Sequence, residues 1–247
     1  MSFQDKVVIV TGASSGIGAA IAILFSKEGA NVTMVGRNQT KLDNVAKQCA
    51  KPPFVINADV SKTEEGKRIV DETVKKFGKL DVLVNNAGLV KLGSVTDGNI
   101  LEAYDTIFGV NVRAVVNITT VATPHLIQTK GNIVNISSIA GIMVPRHGTA
   151  VPYGMSKAAL DLFTKGVALE LSSSGVRVNS INPGPVYTDV LQNAGMDVSF
   201  DSIVPTLPLK RVSQPEEIAD LVAFLASDKA RGITGSIYVS DNGMVLK

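Results

Sequence analysis

The stretch Lys6-Val7-Val8-Ile9-Val10-Thr11-Gly12-Ala13-Ser14-Ser15-Gly16-Ile17-Gly18 decides the fold. Its first half is a continuous apolar run, the pattern of a strand buried on both faces of a parallel sheet. Its second half sets Gly12, Gly16 and Gly18 in the spacing G-x-x-x-G-x-G, and a segment of helical period, Ile17 to Lys27, follows. Glycine permits the tight turn, and the missing side chains let the backbone approach a pyrophosphate. The start of the following helix offers free N–H groups and a positive dipole end. Ser14 and Ser15 add hydroxyl donors. A flexible turn that merely tolerates glycine has the same local look, so the rest of the chain must separate the two readings.

Six further apolar runs follow: Asn31–Val35, Pro53–Asn57, Leu80–Val84, Gly131–Ile136, Val176–Ile181 and Ile237–Val239. Helical segments separate them. Thr63 to Phe77 ends at Gly78, Tyr153 to Ser173 ends at Gly175, and Gln214-Pro215-Glu216-Glu217 opens another with proline at its first position and acids in its first turn. Strand–helix alternation through the whole chain predicts an α/β fold. It is a doubly wound, Rossmann-type parallel sheet of about seven strands with helices on both faces and right-handed crossovers. No internal repeat or linker interrupts residues 1–247, which predicts one domain.

Composition narrows the function. The 247 residues are 45% hydrophobic and 19% charged, with a formal net charge of +2, which excludes disorder and bulk electrostatic steering toward nucleic acid or a membrane. One cysteine, Cys49, and two histidines, His125 and His147, exclude a disulfide framework and predict no metal site. Secretory-signal and membrane-span patterns are not found, so a cytoplasmic protein is expected.

At the end of the second run stands Gly36-Arg37-Asn38, with Arg37 19 residues after Gly18. A carboxylate there would accept a ribose 2′-OH; an arginine fork clamps a 2′-phosphate instead. NADP(H) is therefore expected over NAD(H), with Arg37 and Asn38 at that end of the cofactor.

Three more sites complete a pattern. Asn85-Asn86-Ala87-Gly88 follows the fourth run, Ser138 follows the fifth, and Tyr153 and Lys157 sit four apart on the next helix. Four tyrosines and 24 Lys or Arg residues give about 0.4 Tyr-x-x-x-Lys/Arg pairs by chance, so this pair counts only in company. With all of these in order, from Lys6 to about Val245, the chain resembles the short-chain dehydrogenase/reductase family in its common subgroup of about this length.

The resemblance implies a nicotinamide cofactor and the interconversion of a carbonyl and an alcohol. It implies that Tyr153 is the acid in reduction and the base in oxidation, that Lys157 lowers the phenol's pKa and binds the nicotinamide ribose, and that Ser138 holds the substrate oxygen. Asn111 matches the helix asparagine of a proton relay. Lowering a phenol from ~10 by ~3 pH units requires about 4 kcal/mol, roughly what one ammonium at ~4 Å supplies at an effective dielectric of ~20, and an oxidised nicotinamide adds positive charge. For the cofactor, the resemblance implies contacts from Gly12, Ser14, Ser15, Gly16, Ile17, Gly18, Asp59, Val60, Asn86, Ala87 and Gly88. It implies others from Tyr153, Lys157, Pro183, Gly184, Val186 and Thr188. Asn85 is expected to tie strands together, and Ser137 to orient its loop.

The chain departs from the family in two places. Ser138 and Tyr153 lie 15 apart, further than is common, with the extra length in 145–152 beside the substrate pocket; His147 lies in it. The usual Asp-Gly-Gly reads Asp241-Asn242-Gly243. From Gly131 to Pro208 only nine of 78 residues are charged. A lid is expected over 189–209, with Val190, Leu191, Met196, Val198, Phe200, Ile203, Val204 and Leu207 as its apolar members. Such a rim favours a lipophilic carbonyl or alcohol, such as a steroid or terpenoid. A 3-oxoacyl-(acyl-carrier-protein) reductase is the alternative within the family, and a non-catalytic cofactor-binding scaffold the alternative outside it. A homotetramer or homodimer is expected through the long helices and the last strand.

Overall fold

The strands are β1 (Val7–Thr11), β2 (Asn31–Gly36), β3 (Phe54–Asn57), β4 (Val82–Asn85), β5 (Asn132–Ile136), β6 (Arg177–Pro183) and β7 (Ile237–Ser240). They form one parallel sheet in the order β3-β2-β1-β4-β5-β6-β7. The helices are α1 (Gly16–Lys27), α2 (Gln39–Ala46), α3 (Thr63–Phe77), α4 (Ile100–Phe108), α5 (Ala114–Thr129), α6 (Val151–Leu171), α7 (Val190–Asn193), α8 (Phe200–Ile203) and α9 (Pro215–Ala226). This computed structural model describes residues 2–144, 148–195 and 199–246, except for the side chains of Leu191 and Asp201. Pro145, Arg146 and His147 of the longer loop, and Met196 and Val198 of the expected lid, lie outside the described residues.

The continuous apolar strands are explained by cores on both faces. Along β1, Val8 and Val10 join α1 and α9 in one cluster, while Val7 and Ile9 join α3, α5 and α6 in the other. All four are at most 1% exposed. Helix ends follow local rules. In α3, Glu64 and Glu65 occupy the first turn, Lys75 and Lys76 the last, and Gly78 closes it at φ 80°. Gln214 and Glu217 form a capping box around Pro215 at the start of α9.

Helix α4, a π-helical turn at Gly109–Arg113 and α5 form one 30-residue run, Ile100–Thr129. By length and composition it could cross a membrane, but Ala114, Ile118, Ala122 and Leu126 are buried in the core under the sheet. Asn242 takes a left-handed φ of 55°, which asparagine tolerates where most residues do not, so the departure from Asp-Gly-Gly keeps the turn. The order reverses between β1 and β4, the point where a doubly wound sheet opens a crevice at its carboxyl edge.

Candidate active site

A cleft of about 1610 Å³ opens at that edge. It exceeds the roughly 300–1,000 Å³ of a pocket for one drug-sized ligand, leaving room for a dinucleotide and a substrate together. Gly12, Ser14, Ser15, Gly16, Ile17, Arg37, Asn38, Asp59, Val60, Asn86, Ala87 and Gly88 line it, as do Ser138, Tyr153, Lys157, Pro183, Gly184, Val186 and Thr188.

The glycine turn is a cradle that side chains would fill. Gly12 has φ 68°, and a Cβ there would lie 2.8 Å from the Ala87 Cα. A Cβ on Gly18 would lie 2.2 Å from the Gly12 carbonyl oxygen, so Gly18 serves close packing of α1 on the turn and does not line the cleft. The Ser15 side chain caps none of the α1 amides, and no acid occupies the first turn. That donor set fits a pyrophosphate. The turn is fixed from behind: Asn86 Nδ2 donates to the Thr11 and Gly12 carbonyls at 2.9 and 3.1 Å, and the Asn86 and Ala87 amides donate to Thr11 Oγ1 at 3.0 and 3.1 Å. The Asn86 side chain and amide are thus both committed to the turn. Thr11 was missed in the sequence; its position just before Gly12 was the available signal.

Arg37 is exposed, and among the described residues no carboxylate within 4 Å pairs with it. Its field helps hold Asp59 below the ordinary carboxylate range: burial pushes that carboxyl up, and hydrogen bonds from the Ser61 hydroxyl and amide, with Arg37 and Lys62, outweigh it. Asp59 therefore also caps the turn after β3. Asn38 accepts from the Lys41 amide as the N-cap of α2. Lys41 itself reaches across the cleft mouth to Asp189, Nζ to Oδ2 2.9 Å, a pair not foreseen because 148 residues separate its members.

The expected catalytic pair lies on α6. Tyr153 and Lys157 share a face, with Lys157 Nζ 5.7 Å from the phenol ring centre. Despite the longer spacing, the Ser138 hydroxyl stands near enough to the Tyr153 phenol to favour its ionised form, and both line the cleft. Ser138 Oγ also accepts from the Ala140 amide. Ser137 Oγ donates to the Lys157 carbonyl at 3.1 Å, fastening this loop to α6. Lys157, 4% exposed, donates to the Ile136 carbonyl at 2.8 Å, and its Nζ would stand 3.6 Å from a Cβ on Gly88. Asn85 Nδ2 donates to Asn135 and Thr119, tying β4 to β5 and α5.

Asn111 lies outside the cleft wall, in the π turn. Its Oδ1 accepts from the Leu89 amide, and its Nδ2 donates to the Leu89 carbonyl and to Ser156 Oγ. The side chain is committed to structure. A π turn releases a main-chain carbonyl from the helical ladder, the atom such a turn leaves for other partners.

Burial raises the Tyr153 phenol above its ordinary value, opposed by the neighbouring Ser138 hydroxyl. The ring is only partly shielded from solvent at the cleft wall, which limits that push. The ammonium expected to lower the phenol is itself pushed down to about 8 by its own burial, with Asp161 acting in the opposite direction.

The apolar half of the cleft comprises Leu89, Val90, Ile139, Ala140, Met143, Val190, Phe200, Ile203 and Met244. Met143 and Met244 had not been expected there. Phe200 packs edge-on to Tyr187 at 4.7 Å, tying α8 to the root of the lid. Leu207 is fully buried and faces the interior, not the cleft, contrary to its expected place in the lid. Among the described residues no group of three His, Cys, Asp or Glu side chains forms a metal-sized cluster.

A family profile described as enoyl-(acyl carrier protein) reductase matches residues 12–245. The chain is 35% identical to a 3-oxoacyl-(acyl-carrier-protein) reductase of Thermotoga maritima over 252 aligned positions, covering 100% of both. It is 36% identical to a meso-2,3-butanediol dehydrogenase of Serratia marcescens, covering 98% of this chain and 96% of that one. Among solved structures it is similar to a short-chain dehydrogenase/reductase of Caenorhabditis elegans with cofactor, at TM-score 0.91 and 35% identity, covering 99% and 96%.

Proposed function

The chain belongs to the short-chain dehydrogenase/reductase family and is an oxidoreductase, and on that premise we propose that it interconverts a lipophilic ketone and its secondary alcohol with NADP(H). The observation that carries this reading is that Ser138, Tyr153 and Lys157 line the same cleft as the glycine cradle, with Lys157 Nζ 5.7 Å from the phenol ring centre.

When bound, the nicotinamide supplies the hydride in reduction and accepts it in oxidation. Ser138 Oγ holds the carbonyl oxygen and stabilises the charge that develops there. The Tyr153 phenol gives its proton to that oxygen in reduction; in oxidation the phenolate takes the proton back. Lys157 has its Ile136 bond on one side and borders Gly88 on the other, and it orients the ribose with its remaining donors. Asn111 positions Leu89 and Ser156 around this group. Any relay role for it runs through a main-chain carbonyl of the π turn, since its amide is already engaged.

Arg37, without an acid partner among the described residues, supports the 2′-phosphate preference. The apolar lining from Leu89 to Met244 supports a lipophilic substrate. The whole-length likeness to the Thermotoga reductase favours a second reading, reduction of a carrier-bound 3-oxoacyl thioester. Against it, two cations at the cleft mouth are already neutralised, Lys41 by Asp189 and Lys91 by Glu102. Exposed Leu101, Val116 and Ile127 on α4–α5, with Met155, Leu162 and Leu169 on α6, support self-association through these helices.

The test is NADPH consumption on a panel of steroid, terpenoid and aliphatic ketones and an acyl-carrier 3-ketone, with NADH alongside and Tyr153→Phe as control. Turnover of free lipophilic ketones, lost in Tyr153→Phe, is expected. A strong preference for the carrier-bound thioester overturns the substrate assignment, and turnover at the parent rate in Tyr153→Phe overturns the chemistry.

A further inference from the structure

Asp161 is a buried carboxylate that the proposed chemistry does not use. It stands one turn beyond Lys157 and two beyond Tyr153, so all three share one face of α6. It is 7% exposed, and among the described residues no Lys or Arg lies within ion-pair distance of it. Its partners are neutral. Ser180 Oγ donates to Oδ1 at 3.1 Å, and Asn182 Nδ2 donates to Oδ2 at 2.7 Å.

The same Asn182 amide also donates to the Ser138 carbonyl at 3.0 Å. The chain Asp161–Asn182–Ser138 therefore runs from α6 through β6 to the serine that holds the substrate oxygen. The turn after Ser138 rests on this spot. A Cβ on Gly141 would lie 2.8 Å from the Lys157 carbonyl carbon and 3.1 Å from Asp161 Oδ2. Joining α6 to β6 needs no charge, since a well-packed apolar side chain does so at least as well as a buried ion.

We propose, resting on the reading above, that Asp161 is a positioning residue of the reaction: a buried anion that anchors the Ser138 turn through Asn182 and supplies the countercharge for Lys157.

The two ends of this role are geometrically consistent. Residues four apart on a helix keep their Cβ atoms roughly 5–6 Å apart, close enough for a carboxylate to favour an ammonium inside a protein. The titratable neighbours of Lys157 are Tyr153 and Asp161, both on α6. From β5 it meets the Ile136 carbonyl, and the segment after β4 brings Gly88; neither titrates. Among the described residues, Asp161 meets Ser180 and Asn182 from β6 and Gly141 from the turn after Ser138. Burial alone drives Lys157 toward its neutral form, and Asp161 opposes that drive.

The test compares the full-length parent with Asp161→Asn, with the smaller uncharged Asp161→Ser in case the amide does not fold, and with Asn182→Ala. The pH profile of kcat/KM is read with thermal unfolding alongside. Lys157→Arg, which does not titrate, identifies the alkaline limb that belongs to Lys157. Loss of the Asp161 charge moves that limb down by about half a pH unit or more and lowers kcat about tenfold. Asn182→Ala, which cuts the Ser138 anchor but leaves the charge, lowers kcat with the limb in place. A limb that stays at the parent position in both uncharged variants overturns the inference, whatever happens to their melting temperatures. The same limb is read in the pH dependence of NADPH binding by fluorescence. If no carbonyl is turned over by the parent, the functional reading fails, and the binding limb still decides the role of Asp161.

Discussion

Gly18→Ala tests whether the glycine turn is a close-packed cradle or only a flexible loop. The new Cβ would lie 2.2 Å from the Gly12 carbonyl oxygen, 2.8 Å from its carbon and 2.4 Å from Asn86 Nδ2. Two of these atoms are backbone, and the third belongs to an amide pinned by hydrogen bonds to Thr11 and Gly12. The methyl fits only if α1 withdraws from the turn by more than an ångström. Overpacking of that kind costs about 1–3 kcal/mol, and straining the two Asn86 bonds adds about 1 kcal/mol. A total of about 2–4 kcal/mol lowers Tm by roughly 5–15 °C for a chain of this size. The same withdrawal moves the α1 amides away from the pyrophosphate position, so NADPH affinity falls as well. Differential scanning fluorimetry with and without NADPH, and fluorescence titration of the coenzyme, read both effects. A Gly18→Ala protein with the parent's Tm and Kd would refute the close-packing argument.

Arg37→Asp should reverse coenzyme choice. Losing a charge-assisted bond of about 1.5–3 kcal/mol lowers NADPH preference roughly 10- to 150-fold in kcat/KM ratios, and an unchanged ratio removes Arg37 from the 2′-phosphate site. Asn111→Ala leaves the Leu89 amide and carbonyl without their partner; about 2–4 kcal/mol of stability is lost by chemical denaturation, together with turnover. Asp81 governs acid stability: burial pushes its carboxyl up, but the Val7 amide, Lys79 and Lys6 bring it below the ordinary range. Its contribution is therefore full above the unfolded value near ~3.9 and fades as pH falls through the folded value. Asp81→Asn should lose about 1.5–3 kcal/mol at pH 7 and show a shallower decline of stability below pH 4; an equally steep decline counts against Asp81 as the acid-sensitive group.

The sequence alone determined the sheet, the glycine turn and the Tyr153–Lys157 face, because these are written in local patterns. Strands buried on both sides are apolar throughout, as in β1. A helix start is marked by its own cap, as at Gln214–Glu217, and two side chains four apart on a helix share a face wherever that helix goes. What tertiary structure decided is everything that depends on which distant segments meet. Asn86 matches a cofactor motif, yet its amide is committed to a carbonyl 74 residues away. Leu207 has the composition of a lid residue, yet the chain turns it inward. Asp161 looks in sequence like the polar side of an amphipathic helix, and it gains a role only because β6 brings Ser180 and Asn182 against it. Protonation follows the same rule. Whether Lys157 lowers Tyr153 depends on how deeply both lie from water and on what other charge is buried with them, quantities no spacing in the sequence encodes.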